Sequence, residues 1–152
     1  MANRTAPISA EICSKLEAAR VARLATLEAK RSPHVIPICF ALDGTIFYSA
    51  IDRKPKRVAS NQLARLKNIV TTPKVALLID HYEEDWSRLW YVLVRGEAEL
   101  VSERAERKRA LQLLRAKYPQ YGPEMLKDDA PVLRITPHRI TAWGGNLVAN
   151  RA

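Results

Sequence analysis

The chain has 152 residues, 47% of them apolar and 27% charged, a balance that fits one globular domain able to bury its own core. Five glycines, nine prolines and two cysteines exclude collagen, wholesale disorder, a disulfide framework and a four-thiolate zinc site. Lys and Arg total 25 against 16 Asp and Glu, and the formal excess of +9 predicts attraction to something anionic.

Residues 1–9 lack the apolar stretch of a signal peptide, and no apolar run is long enough to cross a bilayer, so a cytoplasmic protein with no membrane partner is expected. Ser9 caps a short helix whose one face carries Ile12, Cys13, Leu16 and Ala19. Residues 21–27 read as a strand, closed by Lys30-Arg31-Ser32-Pro33. Residues 34–42 read as a second strand, in which Pro37 suits an edge or a bulge because proline cannot donate to the ladder. Asp43-Gly44 then forms a hairpin turn into a strand over residues 45–49. Val58, Gln62, Leu63, Leu66 and Ile69 recur at helical spacing, ended by Pro73. Residues 74–82 read as a buried strand and residues 86–100 as a long strand bent near Gly96. Ser102 opens a charged helix with Ala110, Leu111, Leu114 and Tyr118 inside; residues 119–131 are a loop. Two last strands, residues 132–136 and 139–143, meet across Pro137-His138. This is one α+β domain over residues 1–152, mostly antiparallel, with about six strands, three helices, a small barrel as its form, and flexible tails at 1–8 and 144–152.

Two constellations carry chemistry. Arg53-Lys54-Pro55-Lys56-Arg57 places four cations at a helix start, where main-chain N–H groups already favour an anion. A bound phosphate, a solvated basic loop and a nucleic-acid patch each account for it. Residues 85–91 gather three aromatics, and on a strand Trp86, Arg88 and Trp90 share a face. That face suits stacking on a planar ring, or else an aromatic core or dimer contact. Asp80, His81 and Asp85 match no strong metal-ligand spacing, so no metal is expected. No nucleophile elbow or glycine-rich phosphate loop occurs, and Cys39 reads as a small hydrophobe. No catalytic residue is assigned, and a cofactor must supply any redox chemistry.

The succession of residues 20–27, 33–40 and 48–52, then Lys54-Pro55-Lys56-Arg57, Asn68-Ile69 and residues 75–80, resembles the pyridoxamine-phosphate-oxidase-like split β-barrel proteins. The stretch from Asp80 to Trp90 is similar to the branch that uses the deazaflavin coenzyme F-420. The resemblance runs from Ile12 to Trp143 and implies an FMN-binding split barrel that pairs as a homodimer, with cofactor grooves at the subunit interface. By that likeness Lys54, Lys56 and Arg57 hold the cofactor phosphate. Pro37, Ile38 and Cys39, with Ser49, Ala50 and Asp52, line the ring from one subunit, and Trp86, Ser87 and Arg88 close over it from the other. It also implies hydride transfer to a small-molecule substrate, with Tyr48, Tyr82 or solvent as proton source. Two departures stand out: the first turn holds Lys30-Arg31-Ser32 where relatives often place glycine, and Arg134 to Arg139 barely echoes a substrate-phosphate site, which argues against vitamin B6 oxidation.

An FMN-dependent oxidase or reductase on the same fold is the nearest alternative, since the phosphate cluster would hold either molecule. A store of flavin, or a heme binder using His81, is a second class. A nucleic-acid-binding barrel is a third, disfavoured because the cations gather at one helix start and are scarce along the aromatic strand.

Overall fold

The computed structural model describes residues 7–51, 59–145 and 147, and of residues 59–63 the main chain alone. Its elements are α1 (Ala10–Ala18), β1 (Ala22–Leu27), β2 (Pro33–Ile38), β3 (Ala41–Asp43), β4 (Ile46–Ala50), α2 (Ala59–Thr71), β5 (Lys74–His81), β6 (Trp90–Leu100), α3 (Arg104–Lys117) and β7 (Val132–Gly144). All strand pairs are antiparallel, in the order β2-β1-β5-β6-β7-β4-β3. The fold is the expected α+β split barrel.

Closure follows from chain length. The two outermost strands, β2 and β3, are consecutive in sequence and separated only by Cys39 and Phe40. Three residue steps span at most about 11 Å, so the edges of a seven-stranded sheet must curl round to meet. Tyr118, at the end of α3, pins that joint: the Phe40 N–H donates to its hydroxyl oxygen at 3.1 Å. The same hydroxyl lies 2.9 Å from the Arg20 carbonyl and 3.1 Å from the Phe40 carbonyl. Residues 34–42 are therefore two strands on opposite edges, where sequence alone read one.

Inside the barrel, Leu24, Phe40, Phe47, Leu77, Ile79, Val92, Val94, Leu133 and Ile135 interlock with Ile12 and Leu16 of α1. A second core lies under α3, where Ala110, Leu111 and Leu114 cover Tyr48, Ala50 and Val132. β4 is thus buried on both faces. Each fully buried large side chain contributes roughly 1.5–3 kcal/mol.

Several local readings hold. Ser9 accepts the Ile12 N–H at 3.3 Å, and Gly44 sits at φ 60° in the β3–β4 turn. In the glycine-free first turn Arg31 itself takes the left-handed position, at φ 61°. Pro37 lies on an edge strand, as its missing N–H requires. Other readings change. The last two strands are one, β7, which continues through Pro137 because the β6–β7 ladder shifts register there, beside Gly96. α3 begins at Arg104 with Glu103 before it, not at Ser102. Ile8 and Leu147, both placed in the tails, pack on the core. No helix among the described residues is long and apolar enough to cross a membrane.

Candidate functional site

The aromatic stretch departs most from its sequence reading. Trp86–Arg88 is a single 3₁₀ turn, so Trp86 and Arg88 do not share a strand face with Trp90. Asp85 dictates this: its carboxylate accepts the Ser87 N–H at 3.1 Å and the Ser87 hydroxyl at 2.6 Å. Those two bonds, side chain first, hold the Asp85 carboxyl below the usual range. Trp86 is left 70% exposed, an unusual state for so large an apolar ring. Arg88 is equally open and is tethered by Glu83 at 3.0 Å. Trp90 starts β6 half-buried, stacked on His81 with centroids 6.2 Å apart, and the Lys15 ammonium lies 5.2 Å from its ring centre.

The residues weighed for metal binding are engaged elsewhere. His81 Nε2 lies 2.7 Å from Glu83, and Asp80 pairs with Arg23. Among the described residues no three His, Cys, Asp or Glu side chains gather as a metal set.

Of the expected ring-lining residues, Pro37 is exposed on the β2 edge and Cys39 is partly buried against the second core. Ile38, Ser49 and Ala50 are 4%, 2% and 6% exposed. Their side chains belong to the cores, so a ligand meets these positions chiefly through the main chain. Asp52, Lys54, Lys56 and Arg57 lie outside the described residues, as does Val58. α2 begins immediately after that segment, at Ala59.

Ser49 pairs with Leu133 of β7, which pairs with Leu100 at the far end of β6. The Trp86–Arg88 turn precedes Trp90 at the near end. Ten residues of extended strand separate them, roughly 30 Å along β6. Ser49 and the Trp86–Arg88 turn therefore lie at opposite ends of β6 within one protomer, whereas Pro37, through Arg23 and Leu78, is level with Leu93 near the Trp90 end.

Tyr48, one candidate proton source, is removed from that role. It is 5% exposed, and its hydroxyl donates to Glu106 at 2.8 Å. Burial, then that hydrogen bond, pushes its pKa to about 12. Arg134 Nη1 in turn donates to both Glu106 carboxylate oxygens, at 2.7 and 2.8 Å, which ties α3 to β7. Tyr82 stays 63% exposed.

Sequence reading missed one feature. A cleft of about 700 Å³ opens between the C-terminal end of α1, β1, the end of β5 and the Trp86–Arg88 turn. Lys15, Arg20, Arg23, His81, Arg88 and Trp90 line it, with Asp80 as its one carboxylate. The only trace in the sequence was Arg23 at an outward position of β1. Pro37 is the Cα partner of Arg23, which sets the exposed β2 edge beside this cleft.

The outer face of the sheet exposes large apolar side chains among charged ones such as Arg23, Asp80 and Arg95. Leu78, Tyr91, Trp143 and Val35 are 37%, 36%, 53% and 60% exposed, and Tyr91 stacks on Trp143 at 5.9 Å.

Comparison with solved structures places this architecture among known ones. A conserved hypothetical protein from Mycobacterium tuberculosis superposes with a TM-score of 0.71 at 20% identity, over 94% of this chain and 89% of that one. An FAD-binding protein from Mesorhizobium loti gives 0.64 at 22% identity, over 89% and 94% of the two chains. A protein described as an F-420 reductase gives 0.61 at 24% identity, over 84% and 94%. At these identities the likeness establishes the fold. No curated protein matches the chain in sequence. The family model described as pyridoxamine 5'-phosphate oxidase matches residues 8–144, nearly the whole chain, and the protein belongs to that family.

Proposed function

We propose that the protein is an oxidoreductase whose chemistry is supplied by a bound deazaflavin of the F-420 type, with FMN as the alternative on the same fold. When bound, this group exchanges a hydride with a small electrophilic substrate. The observation that carries the reading is the Trp86–Arg88 turn: a tryptophan and a guanidinium, each 70% open, held on a rigid turn by Asp85. A flat heteroaromatic system fits that pair, since tryptophan stacks on rings and arginine adds cation–π attraction.

In this reading Lys54, Lys56 and Arg57 hold the cofactor phosphate, beside the start of α2. Pro37 to Cys39 and Ser49 to Asp52 form the wall of the groove. Trp86, Ser87 and Arg88 of a second copy cover it and exclude water. Ser49 and the Trp86–Arg88 turn stand at opposite ends of β6, which favours contributions from two subunits to that part of the groove, and Leu78, Tyr91 and Trp143 on the outer face of the sheet are suited to bury against a second copy. The large cationic excess favours the deazaflavin over the smaller FMN.

The test is a fluorescence titration of the purified protein with F-420 and with FMN in parallel, repeated on the Lys54→Ala/Lys56→Ala variant. Tight binding of F-420, lost in the variant, is the expected result. A preference for FMN moves the protein to the flavin alternative. Binding of neither overturns the oxidoreductase reading, and unchanged affinity in the variant overturns the phosphate assignment. Light scattering of the free protein should give the mass of two chains.

A further inference from the structure

Three cations of the cleft beside α1, Lys15, Arg20 and Arg23, have no part in the cofactor assignment. Four cations, Lys15, Arg20, Arg23 and Arg88, line the cleft against the single carboxylate of Asp80. Three of them have only partial partners. Arg23 pairs with Asp80 while both side chains stay more than a third exposed. Arg88 shares Glu83 with His81. Among the described residues Lys15 meets the face of Trp90, which carries no countercharge. Arg20 donates to the Lys117 carbonyl, a neutral acceptor that leaves its charge uncompensated. Like charges brought into one concavity repel, and an anion placed among them removes that repulsion while gaining charge-assisted hydrogen bonds. Lys15, Arg20 and Arg23 come from one stretch of nine residues across the end of α1 and the start of β1, and the fold adds Arg88 from the turn before β6. About 700 Å³ admits a small molecule.

We propose that this cleft is an anion subsite, built from residues remote in sequence from the Arg53 to Arg57 segment, which receives a carboxylate or phosphate group of the substrate. Its use by a substrate rests on the oxidoreductase reading above; its affinity for anions does not. Arg88 lines the cleft and also belongs to the turn that covers the cofactor groove, which puts an anion held here within reach of a molecule reacting in that groove. Lys15 anchors the far wall from the last turn of α1. Trp90, flanked by Lys15 and His81, is a built-in reporter.

The test is an NMR titration of the full ¹⁵N-labelled chain, without cofactor, using pyrophosphate in one arm and citrate in the other. Saturable shifts are expected at the Trp90 indole N–H and at the amides of Ser87 and Gly145, weakening as salt rises. The tighter of the two probes identifies the group as phosphate or carboxylate. Lys15→Gln/Arg23→Gln should weaken binding about tenfold or more. Asp80→Asn removes the competing carboxylate and should tighten binding severalfold, a gain that misfolding cannot mimic. Absent shifts, or equal affinity in all three proteins, overturn the proposal. Cofactor affinity of Lys15→Gln/Arg23→Gln equal to the wild type supports a substrate subsite, whereas a parallel loss assigns the cleft to the cofactor and overturns it. If anions bind but no cofactor does, the oxidoreductase reading falls and the anion subsite stands.

Discussion

Removing one oxygen atom from Tyr118 should loosen the joint that closes the barrel. In Tyr118→Phe the ring still fills its place between Arg20, Lys117 and Tyr121. The Phe40 N–H, on a residue with no exposed surface, loses its acceptor, and the Arg20 and Phe40 carbonyls lose the single hydroxyl proton that they share. An orphaned buried N–H costs about 1–3 kcal/mol, and relief from burying the hydroxyl offsets part of that. The expected destabilisation is about 2 kcal/mol, or roughly 4–8 °C in melting temperature for a domain of this size. Burial pushes the Tyr118 pKa to about 12, so the hydroxyl is protonated throughout the assay range. The measurement is denaturant unfolding at neutral pH, with Tyr82→Phe as an exposed control expected to change by less than about 0.5 kcal/mol. Amide exchange at Phe40 and Ala41 should accelerate by the same free energy, because these residues lie in the joint itself. A Tyr118→Phe midpoint equal to the wild type, or unchanged exchange at Phe40, would refute the account of closure.

Gly96 and Lys117 supply two further tests. A Cβ built at Gly96 would lie 2.1 Å from the Thr136 carbonyl oxygen, a main-chain atom that cannot swing away, so Gly96→Ala should cost about 3 kcal/mol or more; a wild-type unfolding midpoint would show that the ladder shift is not rigid. Burial, ahead of repulsion from Arg20, lowers the Lys117 pKa from 10.5 to about 8. Between those values the unfolded chain binds more protons than the folded one, so stability should rise as pH increases through 8. The gain should be on the order of 1 kcal/mol, because the side chain is only half-buried and solvent screens it. Lys117→Met should flatten that rise between pH 7.5 and 9.5, below the range where Tyr48 and Tyr118 titrate, and a slope equal to the wild type would sink the assignment.

The signals that sequence reading caught are short-range. Asp43-Gly44 marks its turn because only a few residues readily adopt positive φ, and Ser9 marks a helix start because its oxygen reaches an N–H three residues on. The face Ala110, Leu111 and Leu114 was legible because its period belongs to the helix itself. The order of such segments carried the family resemblance and with it the fold. What failed was any reading that depended on a partner far along the chain. Residues 34–42 look like one apolar run, and only the meeting of two sheet edges divides them. Pro137 seemed to break a strand, yet the register shift opposite Gly96 lets β7 pass through it. Trp86, Arg88 and Trp90 alternate as strand residues do, but two hydrogen bonds to Asp85 wind the first two into a turn.

By itself, then, the sequence determined the helices, most of the extended segments, the excess of positive charge and the kind of fold, because each is encoded in composition or in neighbours a few residues apart. Only the tertiary structure brought Arg88 to the cations of residues 15–23 and made a cleft of them. Lys15, Arg20, Arg23 and Arg88 face one cleft because the curled sheet brings the end of α1, β1 and the turn before β6 to one corner. It likewise decided that Ser49 and Trp86 stand at opposite ends of β6, since the pairing of β4 with β7 and of β7 with β6 fixes that distance and no local signal records it.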